Sequence, residues 1–134
     1  MADGEDAKDV GSPTTWLAFA RSDLVLARTR PEEGVMLESL CFHAQQAAEK
    51  SVKAVLVLCG IDFPRTHDLA TLIRLLPADV SAPPHPDRLA ELTAYAAQTR
   101  YPPWGGIDAD DHEDAVEAAS AVFEWARGLI ERQE

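Results

Sequence analysis

The stretch FHAQQAAEKSVKAVL, Phe42 to Leu56, decides the fold of this 134-residue chain. An apolar residue or an alanine falls on every helical turn of it, which is the pattern of a helix with one side buried. Between those positions lie six hydrogen-bonding side chains: His43, Gln45, Gln46, Glu49, Lys50 and Lys53. A central helix that carries so many polar groups is the first place to look for function.

The central helix extends beyond this stretch at both ends. We expect it to begin near Glu32 to Val35 and to end at Cys59, because Gly60 can adopt the left-handed conformation that stops a helix. Its apolar seam follows the three–four spacing of a bundle helix at Leu37, Leu40, Cys41, Ala44, Ala48, Ser51, Val55 and Leu58. Five of these side chains should be largely buried: Leu40, Ala44, Ser51, Val55 and Leu58.

Helix signals on both sides of the central helix predict a bundle. Ser12 before Pro13 is a capping side chain before a first-turn proline, which starts a helix that ends near Arg28. Thr66 or Asp68 caps a short third helix. The later predicted helices span residues 69–76, 86–100 and 110 onward. No strand pattern is present, so the predicted fold is all-α: an up-and-down four-helix bundle with an additional short helix, over residues 13–134.

Charge is distributed unevenly along the chain and limits the classes of function. The net charge is −11, and residues 107–134 hold nine acids and two bases, which give −7 of it. Residues 13–106 are almost balanced, with ten acids and nine bases. The clustered lysines and arginines of a broad nucleic-acid-binding face are not visible in this distribution.

The ends of the chain, its cysteines and its histidines exclude several other classes. Residues 1–12 are acidic and lack an apolar segment, so we expect a disordered acidic lead-in and not a secretion signal. No run approaches the roughly 18 apolar residues of a membrane span, which predicts a cytoplasmic protein without membrane contact. Cys41 and Cys59 should lie about 27 Å apart along the helix, too far for a disulfide, and both should face the core. The four histidines lack ligand spacing, so neither a metal nor a cofactor is expected.

Two polar stripes run side by side on the central helix, because residues three and four apart share a helix face. One interpretation is a solvated face, held by the pairs Gln45 with Glu49, Gln46 with Lys50, and Glu49 with Lys53. The other interpretation is a polar groove that binds a ligand. The residue pattern alone leaves both interpretations open.

A longer stretch resembles the signature of a known family. CFHAQQAAEKSVKAVLVLCGIDFPRTHDLATL, residues 41–72, is similar to the HEPN domain (higher eukaryotes and prokaryotes nucleotide-binding) in its His-Ala-Gln-Gln-Ala-Ala-Glu-Lys run, its Lys-Ala and its Thr-His-Asp-Leu loop. WLAFARSDLVLA upstream and YAAQTRYP downstream also resemble family segments, so the similarity covers about residues 14–130. It implies a bundle of four to five helices that is often dimeric and often encoded beside a minimal nucleotidyltransferase.

The resemblance also implies a nucleotide ligand. The residues that could bind it lie on the central helix and in the following loop: His43, Gln46, Lys50, Lys53, Arg65, Thr66, His67 and Asp68. The two lysines can meet a phosphate as point charges, and the first amides of the helix after the loop form an anion site. No glycine-rich phosphate loop is present. We therefore expect a binding or partner module for a separately encoded nucleotidyltransferase, in a toxin–antitoxin-type pair.

Two alternative functions remain. Many HEPN relatives are metal-independent ribonucleases with an arginine followed, after four to six residues, by a histidine. The match here is Arg100 and His112, with eleven residues between them and acidic neighbours that repel a phosphodiester. A ribonuclease toxin acting on RNA through this pair is one alternative, and a structural homodimer without a ligand is the other.

Self-association is expected in the favoured interpretation. Tyr101, Trp104 and Ile107 precede the last helix, and leaving them in water is unfavourable, so they are candidates for the dimer surface. The acidic last helix should stay outside that surface, because two copies of it would repel each other, and it should remain free for a basic partner.

Overall fold

The computed structural model describes residues 11–31, 34–96 and 106–133. Within these ranges the chain forms three long helices and two short ones, of which the last short one continues into a 3₁₀ turn, Thr93–Ala96. The helices are α1 (Pro13–Ala27), α2 (Leu37–Leu58), α3 (Leu69–Arg74), α4 (Pro86–Leu92) and α5 (Ala109–Gln133). None of the described residues forms a strand, and the predicted all-α bundle is confirmed. The lead-in predicted for residues 1–12 falls almost wholly outside the described residues.

α2 is the central helix, because α1 and α5 both pack against it and the short helices cover part of the remainder. Alanines form much of the contact surface between the long helices and allow their backbones to approach closely. The buried alanines of these three helices are Ala20, Ala27, Ala44, Ala47, Ala48, Ala54, Ala115, Ala118, Ala119 and Ala126. Larger buried side chains, such as Leu24, Leu56 and Val122, fill the space between them.

The seam of α2 is buried as predicted except at its end. Leu40, Ala44, Ser51 and Val55 are buried, whereas Leu58 is only half-buried. The prediction for Leu58 was wrong because the helix ends at this residue, so its side chain no longer faces the core. Leu56, which the predicted seam did not include, is fully buried in its place.

The ends of α2 follow from the backbone around it. Gly34 has φ +89°, and Met36 is extended and caps the helix, so the first helical residue is Leu37 and not Val35. At the other end Cys59 is the capping residue and Gly60 has φ +71°. The predicted glycine stop is therefore confirmed, with the last helical residue one position earlier than expected.

Capping side chains fix the beginnings of α1 and α3. The backbone amide of Thr15 donates to the Ser12 hydroxyl at 3.2 Å, and Pro13 is the first residue of α1. Asp68 caps α3 by accepting from the amide of Ala70 at 3.2 Å. Both predicted starts are confirmed, although α3 ends two residues earlier than predicted.

The later helices differ more from the prediction. α4 begins at Pro86 as predicted, but α-helical geometry ends at Leu92 and the described chain stops after the 3₁₀ turn. The expected continuation to Arg100 lies outside the described residues, as do Tyr101 and Trp104. Ile107 is half-buried and packs against the core, so it contributes little exposed surface.

The two cysteines are free, as the helix spacing predicted. Cys41 is buried in the core, and burial raises the pKa of its thiol to about 12, with smaller contributions from Asp111 and Glu38. Cys59 is only half-buried, which corrects the expectation that both face the core, because it follows the last residue of α2. Burial also raises the pKa of Cys59, so neither thiol is an activated nucleophile.

Across the described helices, none combines the length and the apolar character needed to cross a bilayer. This finding agrees with the absence of a long apolar run in the sequence.

Leu56→Ala tests the position of the core. Because Leu56 is fully buried on the central helix, the variant should lose about 2–5 kcal/mol of free energy of unfolding, measured by urea denaturation. Leu58→Ala, two residues away and half-buried, is the matched control and should lose clearly less. Equal losses in the two variants would contradict the burial described here.

Candidate functional site: two carboxylate clusters on the central helix

The first polar cluster joins α1 to α2 and consists of Asp23, His43 and Lys50. Asp23 is a buried residue of α1. His43 Nδ1 donates to Asp23 Oδ1 at 3.0 Å, and Lys50 Nζ donates to Asp23 Oδ2 at 2.6 Å. His43 and Lys50 are seven residues apart on α2 and therefore share a face. We call these three residues the Asp23 cluster.

The second polar cluster joins α2 to the loop before α3 and consists of Gln45, Glu49, Lys53 and His67. Glu49 is buried, and its Oε2 accepts from Lys53 Nζ at 2.7 Å. Its Oε1 accepts from His67 Nδ1 at 2.8 Å and from Gln45 Nε2 at 3.1 Å. Gln45 Nε2 also donates to the backbone carbonyl of His67 at 3.1 Å. These bonds attach the loop to α2, and we call the four residues the Glu49 cluster.

Two aromatic rings enclose the ammonium of Lys53. Its Nζ lies 5.8 Å from the centroid of Trp16 and 5.5 Å from that of Phe63. The two rings contact each other edge to face, with centroids 6.0 Å apart. Trp16 belongs to α1 and Phe63 to the loop, so three elements meet at this one cation. Lys53 is therefore held inside the protein and not offered to a ligand.

The Glu49 carboxylate is ionised at neutral pH. Burial alone would raise its pKa, but the hydrogen bond and the charge of Lys53, with the bonds from His67 and Gln45, outweigh burial and lower it. Because an ionised carboxylate only accepts hydrogen bonds, Nδ1 of His67 carries the proton and Nε2 lies on the opposite edge of the ring. The carboxylate therefore fixes both the tautomer and the orientation of the imidazole.

The exposed groups of the two clusters are His43, Lys50 and His67. Their side chains are 33%, 27% and 57% exposed, respectively. Asp23 orients the His43 ring as Glu49 orients that of His67, with Nδ1 toward the carboxylate. The surface of α2 and the adjoining loop therefore presents one ammonium and two imidazoles, each held in place by a buried carboxylate.

Comparison with known proteins identifies the family to which this chain belongs. The family model of the HEPN domain matches residues 14–129. The chain is a member of the HEPN family. The resemblance expected from residues 41–72 is thus confirmed over most of the chain.

Two solved structures have a similar fold. TT1696 from Thermus thermophilus is 28% identical with a TM-score of 0.72, and the match covers 87% of this chain and 96% of that one. ST0689, described as an archaeal HEPN homologue, is 29% identical with a TM-score of 0.61, and the match covers 90% of this chain and 98% of that one. The comparison with curated proteins gave no match.

The HEPN signature on α2 is largely internal, which the solvated-face interpretation did not anticipate. Gln45, Glu49 and Lys53 are buried, because α1 and the loop before α3 cover this side of the helix. Two of the three predicted four-residue pairs form, Gln45 with Glu49 and Glu49 with Lys53. The third does not, since Gln46 donates to Gln45 Oε1 at 2.7 Å and Lys50 donates to Asp23.

The remaining residues of the predicted ligand-binding set, Arg65, Thr66 and Asp68, lie in the loop before α3. The Thr66 hydroxyl accepts from the amide of Asp68, which in turn caps α3. The amide of Leu69 donates to the Thr93 hydroxyl at 3.1 Å. The backbone amides of Leu69 and Ala70, at the predicted anion site, therefore donate to side-chain oxygens of the chain itself. Arg65 is exposed on the same loop.

The predicted ribonuclease pair cannot be assembled from the described residues. Arg100 lies outside them, and His112 lies in the first turn of α5, where its Nε2 donates to the Ala27 carbonyl at 2.7 Å. The arginine that shares a surface depression with His112 is Arg28, which donates to Ser120 at 3.0 Å. Asp110 and Glu113 line the same depression and disfavour an anionic substrate.

Asp23 is the member of the site that the sequence analysis missed. It lies three residues after Ala20 and four before Ala27, both of which are buried, so its helix position points inward. An acid at an inward position of an apolar helix signals a buried partner. In the described residues, no group of three or more histidine, cysteine or acidic side chains could hold a metal ion.

Glu49→Gln tests the charge of the Glu49 cluster through pH. The folded-state pKa of Glu49 is lowered, so its contribution to stability is present above the ordinary pKa of the unfolded state and is lost as the pH falls through the lower folded-state pKa. We expect Glu49→Gln to be less stable than the wild type at neutral pH and the difference to shrink on acidification, because the wild type then also carries a neutral group. Thermal melts across pH measure this, with the exposed Glu91→Gln as control. A difference that stays constant down to acid pH would contradict it.

Proposed function

We propose that this chain is a cytoplasmic nucleotide-associated HEPN module: a homodimer that works with a separately encoded minimal nucleotidyltransferase in a toxin–antitoxin-type pair. The observation that carries the proposal is the set of oriented, partly exposed groups on α2 and the adjoining loop: His43, Lys50 and His67. Membership of the HEPN family supports the nucleotide association, and the geometry of the two clusters supports the position of the site.

The chemistry of the three groups suits a nucleotide. With Nδ1 protonated toward a carboxylate, each imidazole offers Nε2 as an acceptor for a ribose hydroxyl or a base amine. Lys50 supplies an ammonium for a phosphate oxygen. Because each group already has its position, little conformational entropy is lost on binding. Asp23 neutralises Lys50, so recognition depends more on hydrogen bonds than on a strong positive field.

The surface for the nucleotidyltransferase is expected on α5. Its first turn carries Asp110 and Asp111, and residues 107–134 hold most of the net charge of the chain. A basic partner surface would be attracted to this helix and steered toward it. The acidic face and the polar clusters therefore serve different partners.

Nucleotide binding by the purified chain tests the proposal. In calorimetric titration with ATP, GTP, CTP and UTP, at least one should bind, and Lys50→Met and His67→Ala should each weaken that binding about tenfold, a loss of about 1.4 kcal/mol. The control is Arg74→Ala, which removes an exposed cation of α3 that belongs to neither cluster. Circular dichroism of each variant checks that the helices are retained.

The outcome that contradicts this proposal is equally specific. If no nucleotide binds and the neighbouring nucleotidyltransferase does not co-purify, the structural homodimer without a ligand is the better description. Binding that is unchanged in both cluster variants would move the site away from α2.

Ribonuclease activity is the remaining alternative, and we expect the purified chain to lack robust metal-independent cleavage of single-stranded RNA. The expectation rests on the internal hydrogen bond of His112 and the acids around it. Cleavage that is lost in Arg100→Ala and His112→Ala but retained in Lys50→Ala would establish the ribonuclease. Arg28→Ala then distinguishes whether the arginine beside His112 also takes part.

A further inference from the structure

α1 has a second apolar face that no other described element covers. Five exposed large apolar residues occur in the described chain, and three of them lie on α1: Phe19, Val25 and Leu26, at 55%, 55% and 46% exposure. Together with smaller neighbours they form a stripe with three–four spacing and a repeat of seven, which we call the outer stripe: Thr15, Ala18, Phe19, Ser22, Val25 and Leu26. This is the spacing with which a helix packs against another helix.

The outer stripe carries no charge, which is unusual for the solvent side of a helix. The opposite side of α1 is already buried through Ala20, Leu24 and Ala27. A helix with one buried face normally places charged and polar side chains on the other. Contiguous apolar surface in water is unfavourable by about 25 cal/mol per Å² and typically marks an interaction site. We therefore expect the outer stripe to pack against a helix of another molecule.

We propose that the outer stripe is the dimer surface of this protein, and that it packs against the outer stripe of a second copy with the two α1 helices antiparallel. The inference deepens the proposed function, because it rests on the homodimer and names the surface that forms it. It replaces the surface expected at Tyr101, Trp104 and Ile107.

Charge limits where two copies of the chain can meet. Each chain has a net charge of −11, so two copies repel unless they meet where acid is scarce. Residues 13–31 hold three arginines and one aspartate, a net charge of +2, and that aspartate is buried against α2. Residues 107–134, at −7, could not face their own copy. The outer stripe itself is uncharged, so two copies can meet along it without burying like charges.

The stripe is also complementary to itself about a two-fold axis. The midpoint between Phe19 and Leu26 along α1 falls between Ser22 and Asp23, so a two-fold axis placed there relates Phe19 of one copy to Leu26 of the other. In an antiparallel pair, Phe19 of each copy meets the partner's Leu26, and the small Ser22 side chain at the crossing allows close approach. A large side chain therefore packs against a medium one at both ends of the contact.

The length of α1 suits the centre of a standard protein–protein interface. A standard interface buries about 800 Å² per partner, roughly a tenth of the surface of a small protein. The accessible surface here is 7645 Å², and α1 has 15 residues, about 22 Å in length. One helix face supplies the apolar centre of such an interface, with neighbouring residues at its rim.

Charge substitutions in the stripe test the proposal on the full-length protein. Sedimentation equilibrium should show a dimer at tens of micromolar, and Phe19→Lys and Leu26→Lys should each raise the dimer dissociation constant at least about tenfold, since every substitution acts twice across the axis. Met36→Lys is the matched control: Met36 is even more exposed, at 61%, but lies outside the stripe, so the dimer should persist. A monomeric wild type, or a dimer that both stripe variants retain, would overturn the proposal.

Cross-linking tests the position of the axis. In a Cys59→Ser background, Ser22→Cys should give a covalent dimer with a short bismaleimide, because residue 22 faces its own copy. Cys41 should not react, since it is buried with its pKa raised to about 12. Ala90→Cys, exposed on α4, is the control and should stay monomeric under denaturing electrophoresis. Cross-linking of Ala90→Cys but not of Ser22→Cys would refute the axis.

The dimer surface and the nucleotide site can fail independently. If the wild type binds a nucleotide but is monomeric, the inference on α1 is wrong and the proposed ligand remains. If Leu26→Lys is monomeric and binds nothing while the dimeric wild type also binds nothing, the dimer surface is supported and the nucleotide proposal fails.

Discussion

The burial of the Glu49 carboxylate is the constraint on which much of this structure depends. An ionised carboxylate that leaves water must recover its lost hydration through donors and a counter-charge. Glu49 does so with Lys53, His67 and Gln45, and these residues come from both α2 and the loop before α3. The loop is therefore held at a fixed position, and it carries Phe63, whose ring closes over Lys53 together with Trp16 of α1.

Asp23 has the same role between α1 and α2. Its two oxygens accept from His43 and Lys50, so one acid of α1 spans two turns of α2. Removing only one partner of such a group would leave a buried charge, which costs more than the intact pair contributes. The polar residues of α2 are thus structural on one side, while parts of His43 and Lys50 still reach solvent.

Local patterns in the sequence predicted most of the secondary structure. Ser12, Asp68 and Gly60 act through bonds or dihedral angles within a few residues, and each has the predicted role. The burial of Gln45 and Glu49 could not be read in this way, because it depends on covering elements that lie far along the chain. Asp23 was missed for the same reason: a single acid in an apolar helix becomes meaningful only when its partner on α2 is known. The half-burial of Leu58 reflects a helix end that periodicity alone does not show.

The alanines between the long helices have a consequence for how the bundle finds a single alignment. Surfaces lined with alanine are smooth and repetitive, so sliding one helix past another by a turn would exchange one alanine contact for a similar one. Such a slide of α1 along α2 would separate Asp23 from His43 and Lys50. The apolar contacts therefore supply attraction with little preference among registers, and the buried Asp23 carboxylate selects the register of α1 on α2 in which it finds its donors.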